Sequence, residues 1–222
     1  PLVDLWFPLM SQVRGDIDGE REVYNSIVRT ATLVSLPIFA GLTITAQDVA
    51  SLLLPVQYAG VGPILQASAL TFLLIPVLWF NNMALNAMGM NKLSLSYTIV
   101  LVASSLFVLF ASNGMGAPDV ILLMAVPAAI VGVAGNLILN RRLQQTNLSY
   151  YTGLLPPVLA TIVMSVVTLT VQHQTQGCIA PLRFGSCVAA GAITYTGWLL
   201  AFHRRWFMDC LQLLIKRRAR TA

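Results

Sequence analysis

Two runs of polar residues recur at helical spacing inside stretches of sequence that are otherwise strongly apolar. Spacings of three and four residues keep side chains on one face of a helix. Polar groups that face lipid are costly, so we expect both faces to contact protein or a water-filled cavity. Amides and hydroxyls there would hydrogen-bond a polar substrate, and a guanidinium would bind its phosphates. The first run contains Arg29, Thr32, Thr43 and Gln47, and the second contains Asn82 and Asn86, with Asn81 adjacent to that face.

Each of these side chains has two possible roles, lining a cavity or bonding to a neighbouring helix. Interhelical hydrogen bonds contribute about 0.6–2 kcal/mol each, and small hydroxyls such as Thr32 and Thr43 commonly serve this purpose. Three amides within six residues are denser than packing requires, so both roles stay open for the asparagines. Arg29 suits either a bound phosphate or the headgroup boundary, where long cationic side chains snorkel.

The elements that position these residues are predicted to be membrane-spanning helices. Charged residues make up 9% of the 222 and hydrophobic residues 57%, whereas soluble domains are roughly 25% charged. Each apolar stretch approaches the ~20 residues that a spanning helix needs, and no period-two alternation indicates a β-barrel. We therefore predict an all-α, polytopic helical bundle. Its six full spans are expected near 26–47, 63–88, 94–112, 119–140, 153–172 and 185–203.

The distribution of positive charge predicts an orientation in the membrane. Twelve of the thirteen Lys and Arg residues lie on every second connection, and only Arg183 lies on an intervening one. Because cationic loops remain cytoplasmic, we expect a multi-pass protein of an inner-membrane type with a cytoplasmic C-terminus. Residues 204–222 are predicted to form a basic amphipathic tail on the membrane surface. No aromatic residues interleave a basic patch, which argues against nucleic-acid binding.

Catalytic and metal-binding patterns are absent from the sequence, so we expect neither enzymatic activity nor a cofactor. No acidic residue lies in the middle of a full predicted span, and Asp48 and Asp119 lie at outer ends. A carboxylate that couples transport to ions is therefore expected upstream. Cys178 and Cys187 flank a loop predicted to lie on the non-cytoplasmic side of the membrane. They either form a disulfide or serve as two small apolar residues.

The order of landmarks along the chain resembles a known family. Phe-Pro-Leu-Met-Ser at residues 7–11 precedes a mixed-charge loop, and Tyr24, Arg29, Pro37 and Gly41 follow. The stretches LLLPVQYAGVGPILQASAL and NNMALNAMGMNKL come next. The chain resembles the C-terminal half of bacterial polysaccharide or oligosaccharide flippases of the MATE-like multidrug, oligosaccharidyl-lipid and polysaccharide exporter superfamily. The exopolysaccharide and lipopolysaccharide biosynthesis branch is most similar.

The resemblance implies that residues 1–203 are one lobe of a two-lobed transporter and include the end of a preceding helix. It implies movement of an undecaprenyl-diphosphate-linked oligosaccharide from the cytoplasmic to the periplasmic leaflet by alternating access. Membrane lipids, a polysaccharide polymerase and glycosyltransferases are the implied partners. A multidrug or organic-cation exporter of the same superfamily is the first alternative. An intramembrane enzyme or a membrane assembly subunit is the second.

Overall fold

A computed structural model describes residues 12–58, 60–204 and 206–208. These residues form α-helices that are joined by turns and one short 3₁₀ helix, Val56–Tyr58. The predicted helix exit at residues 7–11 lies outside the described part, as does most of the predicted tail. The helices are α1 (Ile17–Leu53), α2 (Val61–Phe72), α3 (Ile75–Ala87), α4 (Asn91–Ala111), α5 (Ala117–Arg142), α6 (Asn147–Thr152), α7 (Leu155–Gln174) and α8 (Ala180–Phe202).

Five of these helices are long and apolar enough to cross a membrane, namely α1, α4, α5, α7 and α8. No strand occurs in the described part of the chain. In lipid, a helix satisfies its own backbone hydrogen bonds, and this explains why such apolar segments fold as helices. The predicted class, a polytopic all-α membrane protein, is confirmed.

The stretch 63–88, predicted as one span, is divided into α2 and α3. Pro76 is the second residue of α3 and has no amide hydrogen to donate to the carbonyl of Phe72, where α2 ends. The two helices have 12 and 13 residues, so each extends roughly 20 Å, less than the ~30 Å hydrocarbon core. Within the described residues, five single long helices and this broken pair therefore occur where the sequence predicts six spans.

Helix α1 is longer than the predicted span 26–47 and contains 37 residues. Its first turn carries Asp18 and Glu20, whose charges suit the helix dipole. Pro37 lies in its interior and provides no amide hydrogen for the carbonyl of Leu33. The hydroxyl of Tyr195 in α8 donates to that carbonyl at 2.8 Å. A side chain from another helix thus replaces the missing backbone donor, and α1 continues through the proline.

The chain forms two compact units. The first unit combines α1 up to Ala31 with Leu74–Gly153, and within it α5 packs against α3 and α4. The second unit combines Thr32–Leu73 with the chain from Leu154 onward, and within it α7 packs against α8. Its core consists of the buried residues Leu33, Ala40, Ala160, Met164, Tyr195 and Leu199.

Candidate functional site

A buried polar network occupies the interior of the first unit. The Tyr24 hydroxyl lies 2.8 Å from Oδ1 of Asn81 and 3.1 Å from Oδ1 of Asn136. The Asn81 amide donates to the carbonyl of Gly132 at 3.0 Å. The ring of Tyr150 stacks on that of Tyr24, with centroids 6.0 Å apart. Asn81 lies on α3 and is fully buried. Its side-chain oxygen and nitrogen therefore connect α3 to α1 and to α5.

Close contact between helices makes this network possible. A β-carbon on Gly135 would lie 2.7 Å from a ring carbon of Tyr97 and 3.1 Å from the amide nitrogen of Asn81. Because Gly135 has no side chain, α5 approaches the asparagine and the tyrosine closely. Small residues commonly serve this purpose between membrane helices.

The other two asparagines of α3 have different surroundings from Asn81. Asn82 is partly buried, accepts a hydrogen bond from Ser94 and donates to the Thr98 hydroxyl at 3.3 Å. Both partners are on α4, so Asn82 joins α3 to α4. Asn86 is exposed. The three amides therefore do not form a single polar surface, and only Asn86 is open to an external ligand.

Arg29 is partly buried in the same unit, and its guanidinium packs against the backbone at Gly153. A β-carbon at Gly153 would lie 2.8 Å from Nη2 and 3.1 Å from Nε of Arg29. No acidic side chain within the described ranges forms an ion pair with Arg29. Its charge is therefore available to an anionic ligand.

The remaining residues of the predicted set belong to the second unit. Thr32 is buried, and the Thr43 hydroxyl donates to the carbonyl of Phe39 in its own helix at 2.7 Å. Gln47 is exposed and lines a cavity of about 430 Å³ together with Gly62 at the start of α2. Of these three side chains, Gln47 is the one that faces open space.

An ion pair in the second unit was missed by the sequence analysis. Nε of Arg183 donates to Oδ1 of Asp48 at 2.8 Å, and Nη2 donates to the same oxygen. Asp48 is 1% exposed, and its Oδ2 is buried without a hydrogen-bond partner. One signal was present, because Arg183 is the cation that departs from the alternating charge pattern. Asp48 lies at the end of a predicted span on the same side.

An open, mostly apolar groove of about 460 Å³ lies in the second unit between α1, α7 and α8. Its lining includes Pro37 and Val49 from α1, Thr168 from α7, and Phe184 and Thr196 from α8. The hydroxyl of Thr168 is buried and has no hydrogen-bond partner. A β-carbon on Gly191 would lie 3.1 Å from this hydroxyl, so the hydroxyl lies at the contact between α7 and α8. The groove is therefore suited to an apolar ligand.

The two cysteines in the described part are both free thiols. Cys178 is exposed, whereas Cys187 is buried in the groove lining. Within the described ranges, no group of three or more His, Cys, Asp or Glu side chains is arranged to hold a metal ion.

Comparison with known proteins shows a similarity in the N-terminal part of the chain. A family model described as a polysaccharide biosynthesis protein matches residues 1–63. No curated protein and no solved structure matches the chain. The matched range includes the whole of α1, with Arg29 and Gln47, and ends near the start of α2. The match supports a role in polysaccharide biosynthesis, and the asparagines of α3 lie outside it.

Proposed function

We propose that this chain is part of a non-enzymatic membrane transporter that moves a lipid-linked oligosaccharide from the cytoplasmic to the periplasmic leaflet. Such a flippase serves cell-surface polysaccharide biosynthesis at the bacterial inner membrane. One observation carries the proposal. The segment that matches a polysaccharide biosynthesis family is itself a long membrane helix with polar side chains. A polysaccharide protein with this architecture needs a path for a polar head group through lipid.

Arg29 supports a diphosphate-linked substrate. A guanidinium donates two parallel hydrogen bonds to phosphate oxygens, and such charge-assisted bonds are stronger than neutral ones. Arg29 is partly buried and has no acidic partner within the described ranges. We therefore assign it the diphosphate of an undecaprenyl-diphosphate-type carrier. The carrier's hydrocarbon tail needs no polar path because it remains in the bilayer.

The exposed amides are the best candidates for contact with the saccharide. Asn86 and Gln47 are exposed, whereas Asn81 and Asn82 bond to neighbouring helices. Sugar hydroxyls both donate and accept hydrogen bonds, and a carboxamide offers both functions. We assign Asn86 and Gln47 to the substrate, and Asn81 and Asn82 to the scaffold.

An organic-cation exporter of the same superfamily remains the rival function. An organic-cation exporter requires a negatively charged side chain that is free to bind the cation. Asp48 is bonded to Arg183, and buried Glu20 accepts a hydrogen bond from the backbone amide of Gly15 at 2.9 Å. Asp48 is therefore committed to a cation, and Glu20 is enclosed in the first turn of α1, where the helix dipole and the Gly15 amide stabilise its charge. This favours the anionic, saccharide-bearing substrate.

The proposal is tested in cells that lack the gene for this chain. We expect lipid-linked oligosaccharide to accumulate in the cytoplasmic leaflet and surface polysaccharide to fall, with wild-type protein restoring both. Arg29→Gln should fail to restore them at equal protein level. Arg21→Gln is the matched control because Arg21 forms an exposed pair with Asp18. Normal arrival of the saccharide in the periplasmic leaflet without the gene would refute the proposal.

A further inference from the structure

Helix α6 is joined to the start of α1 by a chain of amide hydrogen bonds. Nδ2 of Asn25 in α1 donates to Oε1 of Gln145 at 2.9 Å, just before α6 begins. Gln145 donates to Asn140 at 2.7 Å, and Asn140 donates to Asn147 at 2.8 Å. This chain of amides connects α1 to the end of α5 and to the first residue of α6.

An aromatic contact joins the same two helices a second time. The ring of Tyr150 is 4% exposed and stacks on Tyr24, which directly precedes Asn25 in α1. Gly153 follows the last residue of α6. Its position relative to α1 is therefore set by both the amides and the stacked rings.

Gly153 lies directly against the guanidinium of Arg29. A β-carbon at position 153 would lie 2.8 Å from Nη2, 3.1 Å from Nε and 3.3 Å from Cζ. Nη1 is farther away than these three atoms, so the guanidinium turns its Nε side toward Gly153 and its Nη1 end away. Among the described residues, the guanidinium nitrogens form no hydrogen bond, and none of them is enclosed without a partner. The Nη1 end is therefore available to a ligand.

The backbone at position 153 does not itself require glycine. Gly153 has φ −65° and ψ −19°, which are ordinary helical values that most residues adopt. The conformational freedom of glycine is therefore unused here. What the residue provides is the space that its missing side chain leaves beside Arg29.

We propose that Gly153 is a positioning residue that holds the Arg29 guanidinium with its Nη1 end toward the substrate diphosphate. This inference rests on the proposed function, because it takes Arg29 as the group that binds the diphosphate. A side chain at position 153 would push Nη2 from 2.8 Å to the roughly 3.4 Å at which ordinary contact begins. Charge-assisted hydrogen bonds are sensitive to such shifts in distance and angle. Gly153 thus sets the affinity for the diphosphate without touching it.

Gly153→Ala tests the proposal because it displaces the guanidinium at little structural cost. The new β-carbon meets the end of a flexible side chain that can move aside, so the midpoint of thermal unfolding should not change. Gly116→Ala is the matched control in the same unit. Gly116 also flanks a helix, with φ −68°, and a β-carbon there meets nothing closer than 3.4 Å.

The measurement is equilibrium binding of farnesyl diphosphate to the full chain in detergent micelles. We expect Gly153→Ala to weaken binding about tenfold, the equivalent of one charge-assisted hydrogen bond. Gly116→Ala should leave binding unchanged. Farnesol lacks the diphosphate, so its binding should be the same in all variants.

Two further backgrounds show whether Gly153 acts through Arg29. Arg29→Gln should itself weaken binding at least tenfold, and adding Gly153→Ala should cause no further loss. In an Arg29→Lys background, Gly153→Ala should cost less than twofold, because lysine has no planar fork beside the new β-carbon. A purely structural role of Gly153 would weaken binding by the same factor in every background.

Two results would overturn the positioning role. One is wild-type affinity in Gly153→Ala, and the other is an equal loss from Gly153→Ala in the wild-type and Arg29→Gln backgrounds. Weaker binding by Arg29→Gln alone would in both cases leave the proposed function standing. Unchanged binding by Arg29→Gln would instead refute the assignment of Arg29 to the diphosphate, and the role of Gly153 would fail with it.

Discussion

Tyr195→Phe removes the hydroxyl that satisfies the backbone of α1 at its internal proline. That hydroxyl lies 2.8 Å from the carbonyl of Leu33, and Tyr195 is buried. Without it, the carbonyl has no donor, because Pro37 has no amide hydrogen. Hydrogen bonds between membrane helices average about 0.6 kcal/mol and reach about 1.7, and an unsatisfied buried group costs about 1–3 kcal/mol. We expect the free energy of unfolding to fall by about 1–2 kcal/mol.

The physical cause is isolated by a double-mutant cycle with Pro37→Ala. Alanine restores the amide hydrogen, so position 37 can donate to the Leu33 carbonyl in the ordinary helical pattern. In that background Tyr195→Phe should cost less than about 0.5 kcal/mol, which gives a coupling energy near 1 kcal/mol. The cycle is needed because the tyrosine ring also packs in the core of the second unit.

The assay is equilibrium unfolding in mixed micelles, followed by the helical circular dichroism signal. Tyr151→Phe is the control, since Tyr151 is exposed and its hydroxyl loss should change stability by less than about 0.5 kcal/mol. Equal costs of Tyr195→Phe in the proline and alanine backgrounds would refute the reasoning. The hydroxyl would then stabilise the protein for some reason other than the missing amide.

Three further predictions concern the polar groups of the two units. Asn81→Leu removes two buried hydrogen bonds, to the Tyr24 hydroxyl and to the Gly132 carbonyl, and should lower the free energy of unfolding by about 2 kcal/mol. Asn86→Leu should change it by less than about 0.5 kcal/mol because Asn86 is exposed. Equal losses of stability in thermal unfolding would contradict the proposed role of the network. Arg183→Gln should lower the free energy of unfolding by about 2 kcal/mol. This is less than the roughly 3–5 kcal/mol lost when a fully buried ion pair is broken, because the Arg183 side chain is 26% exposed. Adding Asp48→Asn should recover most of that loss, and no recovery would show that the ion pair is not the cause. Burial raises the pKa of Tyr150 to about 12, from 10 in the unfolded chain, so stability should be intact below pH 10 and decrease as the pH rises from 10 to 12. Tyr150→Phe should make the free energy of unfolding fall less between pH 10 and pH 12 in alkaline unfolding experiments. An unchanged pH profile would show that Tyr150 is not the cause of the fall.

Much of the fold follows from local sequence. The apolar content and the length of each stretch predict membrane helices, because lipid leaves the backbone few alternatives. The break between α2 and α3 also has a local cause in Pro76, although the same residue type at Pro37 leaves α1 continuous. The difference lies in Tyr195, which is 162 residues from Leu33 along the chain. No local pattern indicates that a tyrosine will supply the missing donor.

The candidate site was only partly accessible to sequence reasoning. The helical spacing of Asn81, Asn82 and Asn86 indicates that their side chains are polar positions in a membrane helix. It does not indicate that Asn81 bonds to α1 and α5, Asn82 bonds to α4, and Asn86 stays exposed. Each outcome depends on which neighbouring helix faces the residue, and periodicity carries no such information.

The amino-acid sequence is sufficient to predict that lipid surrounds this protein and that its apolar segments are helices. Both properties depend on the composition and the length of each segment, and these can be read from the segment without knowledge of its neighbours. Which polar groups bond to neighbouring helices and which remain free depends on the three-dimensional fold. It joined Asp48 to Arg183 across 135 residues and left Arg29 without an acidic partner in the described ranges. The physical reason is that a buried polar atom is satisfied by whatever lies within about 3 Å of it, and helix packing alone brings such distant residues together.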